Sequence, residues 1–95
     1  MLVKKSLYST EQATLQKLLR QLRQDAHLRQ DELATRLVTY QTFVSKYENG
    51  ERILDLPELR QVCQALGVSL VDFVRHYEQA LDQEAKETIL PKPKD

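Results

Sequence analysis

The sequence predicts an all-α fold of five helices. Apolar residues recur at helical spacing over most of the chain, and residues that start or stop helices bound each periodic stretch. The 95 residues include only two glycines and three prolines, which argues against a loop-rich or all-β architecture. A chain of this length is expected to form one compact domain around a modest core.

The first two predicted helices are amphipathic. Ser9, followed three positions later by Gln12, is the capping signal of the first helix. The apolar face of this helix consists of Leu15, Leu18, Leu19, Leu22 and Ala26. The second helix is predicted in residues 29–37, where Asp31 and Glu32 lie in the first turn and interact favourably with the helix dipole.

The third predicted helix is short and runs from Gln41 to about Glu48. Thr39 can serve as its N-cap, and the pair Asn49-Gly50 stops it, because both residues tolerate the left-handed conformation of a helix end. Two short helices joined by about three residues are what a helix-turn-helix requires. In that motif the second helix enters the major groove of DNA.

The outward face of the third helix carries groups that read DNA bases. Val44 and Tyr47 are its apolar residues and attach it to a core, which leaves the opposite face polar. That face consists of Gln41, Thr42, Ser45 and Lys46. Glutamine pairs with adenine, threonine contacts thymine, and lysine donates to guanine or phosphate. The pattern alone equally describes a solvated face of a small helical bundle.

The fourth and fifth predicted helices have clear start signals. Asp55 and Glu58 form a capping box for the fourth helix, which Gly67 ends, and Ser69 with Asp72 opens the fifth. The apolar positions of the fifth helix are Leu70, Phe73, Val74, Tyr77 and Leu81. They continue beyond the length that a small bundle needs, so part of this helix is expected to serve another purpose.

Charge is distributed unevenly along the chain. The formal net charge is zero, but residues 1–52 hold nine Lys or Arg against six Asp or Glu, and residues 53–95 hold five against eight. The first half, which contains the short third helix, is therefore the basic half. An excess of this size is only weak support for a nucleic-acid surface.

Catalytic and metal sites are not expected. His27 and His76 are isolated surface residues outside any metal-ligand spacing, and there is no glycine-rich phosphate loop. Cys63, the single cysteine, lies on the apolar face of the fourth helix and is predicted to be a core residue rather than a nucleophile. No stretch has the length of a signal peptide or a membrane span. We therefore expect a cytoplasmic protein with no cofactor, no membrane partner and no small-molecule substrate.

Residues 19–73 resemble the lambda-repressor-like, Cro/xenobiotic-response-element (XRE) class of helix-turn-helix transcriptional regulators. The resemblance rests on three segments in the order and spacing of that family: QDELA at 30–34, QTFVSKYENGER at 41–52 and ALGVSL at 65–70. It implies a five-helix DNA-binding domain with an extended C-terminal helix, and a prokaryotic or phage origin.

The resemblance also implies which residues contact DNA. Gln30 would contact a phosphate and brace the reading helix. Gln41 and Thr42 would contact bases, and one turn later Ser45 and Lys46 would reach bases or backbone. The residues expected at phosphates are Gln30, Arg29, Asn49 and Arg52, with backbone N–H groups of Asn49 and Gly50 as further donors.

Four positions depart from the family pattern or are ambiguous. Val38 replaces the usual glycine of the turn, so we expect a rebuilt turn that tilts the third helix. Arg29 replaces a capping residue, so the second helix is expected to lack its cap. Glu51 stands where a positive residue would help to hold phosphate. Phe43 could cover thymine methyls or meet a partner, but core packing is its commonest fate.

Regulators of this class bind pseudo-palindromic operators as dimers, so the resemblance implies a homodimeric repressor on double-stranded DNA. We assign residues 9–76 to the DNA-binding domain and residues 77–95 to a C-terminal extension with a frayed, proline-containing tail. Tyr77, Leu81 and Ile89 would meet their two-fold mates, while Phe73 and Val74 belong to the core.

Three alternatives stay open. The C-terminal segment could instead pack back on the first helix of its own chain. The protein could be an antitoxin or phage-type switch that also binds a protein partner. It could also be an interaction module that keeps the fold without binding DNA.

Overall fold

The computed structural model describes residues 9–89, and their side chains as far as residue 85. The five predicted helices are present: α1 Thr10–Asp25, α2 Gln30–Leu37, α3 Gln41–Asn49, α4 Leu56–Ala65 and α5 Leu70–Ile89. Residues 9–89 contain no strand, so the all-α prediction is confirmed. The proline-containing tail and the side chain of Ile89 lie outside the described part.

Three helices begin with the predicted capping bonds. The Ser9 hydroxyl accepts a 3.0 Å hydrogen bond from the backbone N–H three residues later. At α4, Asp55 accepts from the N–H of Glu58 at 2.8 Å, and the Glu58 carboxylate accepts from the N–H of Asp55 at 2.9 Å. The Ser69 hydroxyl accepts from the N–H of Asp72 at 3.0 Å. These bonds satisfy backbone donors that the first turns leave free.

The start of α2 agrees with the prediction, and the start of α3 differs from it. Arg29 is the N-cap of α2 and its side chain makes no capping bond, as predicted, while the Glu32 carboxylate accepts a 2.8 Å hydrogen bond from the N–H of Arg29. The N-cap of α3 is Tyr40, not Thr39, and its side chain makes no capping bond. The N–H of Thr39 instead closes the end of α2, donating to the carbonyl of Ala34 at 3.0 Å. Thr39 therefore belongs to the turn.

The turn between α2 and α3 is not rebuilt around Val38. Val38 adopts the left-handed conformation itself, with φ 57° and ψ 50°. Its N–H donates to the carbonyl of Thr35 at 3.1 Å, and its side chain is 91% exposed. The ordinary left-handed helix end is thus kept at the steric cost that a β-branched residue carries there. The tilt of the third helix was expected only from a rebuilt turn, so the reason to expect it is removed.

The core lies where all five helices meet. Its buried residues are Leu19, Leu33, Ala34, Val44, Tyr47, Val62, Cys63, Leu66 and Phe73. Helix α3 packs on α2 and α1, and α5 packs on α1 and α4. Burial raises the pKa of Cys63 to about 11, so its thiol stays protonated at neutral pH, which agrees with the predicted core role.

Helix α5 is continuous through position 77, where the C-terminal extension was predicted to begin. Phe73 is 1% exposed, as predicted, but Val74 is 40% exposed, so its assignment to the core is wrong. The reason is geometric, because adjacent residues of a helix point about 100° apart. Tyr77 stacks on Phe73 with ring centroids 6.5 Å apart and donates its hydroxyl to the carbonyl of Glu11 at 3.1 Å. The start of the extension thus packs on α1 of its own chain.

Candidate nucleic-acid interface

Helix α3 presents its polar side chains away from the core. Val44 and Tyr47 are 0% and 2% exposed and hold the helix to the domain. The four residues predicted to read bases lie on the opposite arc: Gln41, Thr42 and Lys46 are exposed and Ser45 is half-buried. The structure therefore brings these four side chains to one surface, at the end of the domain formed by α2 and α3.

The two glutamines that begin α2 and α3 are joined by a hydrogen bond. Nε2 of Gln41 donates to Oε1 of Gln30 at 2.7 Å, and Nε2 of Gln30 donates to Oε1 of Glu48 at 3.0 Å. The chain of bonds runs from the exposed start of α3 back to its buried end. Gln30 thus occupies a bracing position between the two ends of α3.

Glu48 anchors this chain of bonds in a buried ion pair. Its side chain is 0% exposed and receives two bonds from Arg23 of α1, at 2.7 and 2.9 Å. Arg23 also donates to the carbonyl of Leu28 at 2.8 Å, which ties the α1–α2 loop to the same group. Burial raises the pKa of Glu48, but the bonds from Arg23 and Gln30 and the positive charges of Arg23 and Arg20 outweigh it, and the pKa is lowered overall.

The buried ion pair is the feature that sequence reasoning missed. Glu48 is four residues after Val44 and so lies on the same, inward side of α3. That placement was a readable signal, because a carboxylate on a buried face needs a charged partner. Its partner Arg23 is distant in sequence, and nothing local to either residue identifies the other.

The residues predicted at phosphates have partners within the chain. Arg29 is 71% exposed and pairs with Asp31 at 3.0 Å and with Glu32 at 3.5 Å. The Asn49 amide donates to the Ser45 hydroxyl at 3.3 Å. These are exposed contacts with small net stability, so they can exchange for contacts to another molecule.

Arg52 follows α3 and lies over an aromatic ring. Its guanidinium pairs with Glu58 of α4 and sits 5.0 Å from the centroid of the Phe43 ring. Phe43 itself is half-buried against the core and meets Tyr47 edge-to-face at 5.5 Å. The predicted core packing of Phe43 is confirmed, and its ring also helps to position Arg52.

One predicted phosphate donor is already engaged. Gly50 ends α3 with φ 84°, a conformation that suits glycine, and its N–H donates to the carbonyl of Lys46. The N–H of Glu51 donates to the same carbonyl at 2.8 Å. The expectation that the Gly50 N–H is free for phosphate is therefore wrong, since it closes the helix instead.

Other chemistry-bearing residues lie apart from this surface. His27 and His76 are exposed, as predicted. Among the described side chains, no three His, Cys, Asp or Glu residues gather closely enough to hold a metal ion. Over residues 9–89, none of the helices combines the length and the apolar character needed to cross a membrane.

Together, α2, the left-handed turn and the polar face of α3 define a helix-turn-helix DNA-binding protein. The HTH_3 helix-turn-helix family model matches residues 19–73, more than half of the chain. The chain belongs to this family of Cro/C1 (XRE) type regulators, and it is a DNA-binding transcriptional regulator.

Solved structures share the fold. A point mutant of the restriction-modification controller protein C.Esp1396I is 23% identical with a TM-score of 0.73, covering 79% of this chain and 95% of that one. The same controller as a tetramer on its natural 35 base-pair operator is 22% identical with a TM-score of 0.72, covering 77% and 96%. The clp gene regulator ClgR from C. glutamicum is 26% identical with a TM-score of 0.67, covering 76% and 92%. No curated protein sequence matches.

Proposed function

We propose that this protein is a homodimeric repressor that reads a pseudo-palindromic operator, each protomer placing α3 in a major groove. The half-sites would lie about 34–36 Å apart on one face of the duplex. The observation that carries the proposal is the exposed polar face of α3, held from behind by buried Val44 and Tyr47. The controller protein C.Esp1396I, which shares the fold, binds its 35 base-pair operator as a tetramer, and this supports an assembly of several subunits on DNA.

Gln41 can read adenine without leaving its brace. One hydrogen of its Nε2 is donated to Gln30. The second hydrogen and Oε1 supply the donor and the acceptor that a bidentate contact to adenine requires. Thr42 adds a hydroxyl and a methyl group beside it, and Lys46 reaches guanine or phosphate from one turn later.

The proposed phosphate contacts come from the rim of α3. Gln30 uses one amide hydrogen for Glu48 and keeps the other for a phosphate oxygen. Arg29 and Arg52 would exchange their carboxylate partners for phosphates, and Asn49 would turn its amide outward. Release of counterions from the duplex favours this exchange, so binding should weaken as salt rises.

The test compares Gln41→Ala and Thr42→Ala with Gln79→Ala, an exposed glutamine of α5, on an operator selected from a random duplex pool. Gln41→Ala should cost about 1–3 kcal/mol and relax specificity at one base position per half-site. Gln79→Ala should bind like the wild type. Equal binding by all three variants would sink the assignment of α3 as the reading helix.

Arg52→Ala provides the contrast in the same titrations. A phosphate contact carries no sequence information, so this change should weaken the operator and a scrambled duplex about equally. It should also lower the slope of log K against log salt by about 1. A loss confined to the operator would instead place Arg52 at a base.

A further inference from the structure

The turn between α2 and α3 exposes two large apolar side chains. Val38, which ends α2, is 91% exposed, and Tyr40, which precedes α3, is 82% exposed. We call these two residues the turn pair. They gain almost no burial within the described fold, although apolar side chains are stabilised by leaving water.

Each residue of the turn pair also lies where another residue type would stabilise the motif better. Val38 has φ 57°, a left-handed conformation that costs a β-branched residue free energy and that glycine adopts without a clash. Tyr40 is the N-cap of α3 and its side chain makes no capping bond, whereas serine or aspartate there would accept one from the first turn. Both side chains therefore cost stability in the free protein. Local strain of this kind is typical of functional positions.

The turn pair is continuous with the reading face of α3. Tyr40 directly precedes Gln41, and the Cα atoms of consecutive residues are about 3.8 Å apart. Consecutive base pairs are about 3.4 Å apart along the DNA axis, so the side chain before Gln41 can reach the next base pair. Val38 lies two residues earlier, towards the helix that crosses the DNA backbone, and is therefore placed at the wall of the groove.

The charge around the turn pair suits DNA. Residues 33–47 include Arg36 and Lys46 but no aspartate or glutamate. The phosphates that line the groove repel carboxylates, so a stretch without them can lie against the duplex. Apolar side chains find two kinds of partner there. One is the C5 methyl group of thymine at the base edge, and the other is the carbon skeleton of deoxyribose at the groove wall.

We propose that the turn pair belongs to the DNA interface. The Tyr40 ring covers the C5 methyl group of a thymine next to the base pair read by Gln41, and Val38 packs on the adjoining deoxyribose. This inference rests on the proposed function and adds one base position to the recognised sequence. Tyr40 is thereby a specificity-determining residue, and Val38 contributes affinity.

Removal of the thymine methyl group provides the first test. The full chain selects its operator from a random duplex pool, and the operator is then made with deoxyuridine in place of each thymine in turn. Deoxyuridine pairs as thymine does but lacks the C5 methyl group. Next to the base position at which Gln41→Ala relaxes specificity, this replacement should weaken binding roughly fourfold per half-site, the effect of uncovering one methyl group. Absence of any such thymine would overturn the inference.

Tyr40→Ser shows whether the Tyr40 ring is the partner of that methyl group. The variant should bind the thymine operator more weakly than the wild type, and deoxyuridine at this position should weaken it no further. Thr42→Ala is the matched control, since Thr42 can also face thymine, and it should keep the full deoxyuridine effect at the position assigned to Tyr40. Equal deoxyuridine losses in the wild type and in Tyr40→Ser would contradict the contact.

Tyr40→Phe separates the ring from the hydroxyl group. It keeps the apolar ring and should bind the operator like the wild type, with the same deoxyuridine effect. A loss as large as that of Tyr40→Ser would place the contact at the hydroxyl group, and so at a phosphate rather than at a methyl group.

Stability and binding should change in opposite directions at the turn pair. Val38→Gly and Tyr40→Ser each remove a local cost, so each should raise the melting temperature by roughly 2–8 °C. Val38→Gly should nevertheless weaken operator binding roughly tenfold. Unfolding cannot explain weaker binding by a more stable protein. Val38→Ala keeps the Cβ that restricts the backbone and should also bind more weakly than the wild type; wild-type binding by Val38→Ala would contradict a contact of the valine methyl groups.

The outcomes separate this inference from the proposed function. Operator binding that falls in Gln41→Ala but is unchanged in Val38→Gly and Tyr40→Ser overturns this inference alone, and leaves the turn pair as a surface for a protein partner. Failure to select any operator contradicts both the inference and the proposed function.

Discussion

Gln41 at the start of α3 donates a 2.7 Å hydrogen bond to Gln30 at the start of α2. Gln30, the proposed phosphate contact, thereby holds the side chain of Gln41, the proposed base contact. The positions of the two side chains therefore depend on each other. Glu48 receives the next bond at 3.0 Å and ties both to the core.

The first prediction concerns the energetic coupling of this glutamine pair. Gln30→Ala should weaken operator binding roughly tenfold, because it removes a phosphate contact and frees Gln41 to take other rotamers. The double variant Gln30→Ala/Gln41→Ala should lose less than the sum of the two single changes, with a coupling of about 0.5–3 kcal/mol. Titrations of the wild type, the two single variants and the double variant on one operator at one salt concentration measure this coupling. Additive losses would mean that the bond does not act in the complex.

The second prediction concerns the stability supplied by Arg23. Arg23→Met keeps most of the length of the side chain but leaves the Glu48 carboxylate buried and without its main partner. The free energy of unfolding should fall by about 3–5 kcal/mol. Urea denaturation measures it, with Arg60→Met, an exposed arginine of α4, as the control that should change it by less than about 0.5 kcal/mol. A loss below about 1 kcal/mol at Arg23 would show that the pair is dispensable.

The third prediction concerns the acid side of the stability curve. The pKa of Glu48 is lowered in the folded state from its ordinary value of 4.5. The unfolded chain therefore takes up this proton first as pH falls. The stability that the ionised group contributes is complete above about pH 5 and is lost as pH falls through the lower, folded-state pKa. Glu48→Gln should be less stable than the wild type at pH 7, and the difference should shrink towards pH 3. A difference that stays constant over this range would contradict the shift.

The fourth prediction concerns the strained turn. Val38→Gly should raise the free energy of unfolding by about 0.5–1 kcal/mol, because glycine has no Cβ to clash at φ 57° and the exposed valine has little contact to lose. Val38→Ala is the matched control, since it keeps the Cβ and should recover little of this. Thermal denaturation of the wild type, Val38→Gly and Val38→Ala measures these differences in the free energy of unfolding. Equal gains from both variants would place the cost in the exposed methyl groups rather than in the backbone.

Local chemistry explains what the sequence predicted well. The starts of α4 and α5 follow from residues three positions apart, such as Asp55 with Glu58, and those bonds form as expected. The inward placement of Val44 and Tyr47 follows from helical period alone. Five helices and the polar face of α3 could therefore be read directly.

Tertiary contacts explain the features that the sequence predicted wrongly or did not predict. The pairing of Arg23 with Glu48 joins residues 25 positions apart, and no local pattern links them. Val74 and Phe73 are adjacent apolar residues of one helix, so only the position of the neighbouring helices decides which is buried. The expectation of a rebuilt turn gave too much weight to the steric preference of Val38, which the surrounding helix contacts override.

Selection of bound sequences from a random duplex pool tests the central claim most directly. The winning sequence and a scrambled control should then be titrated at two salt concentrations. The account predicts a pseudo-palindromic winner with half-sites one helical turn apart, bound far more tightly than the control at both salt concentrations. No enriched sequence, together with weak binding that vanishes as salt rises, would contradict it and leave the polar face of α3 as a solvated surface.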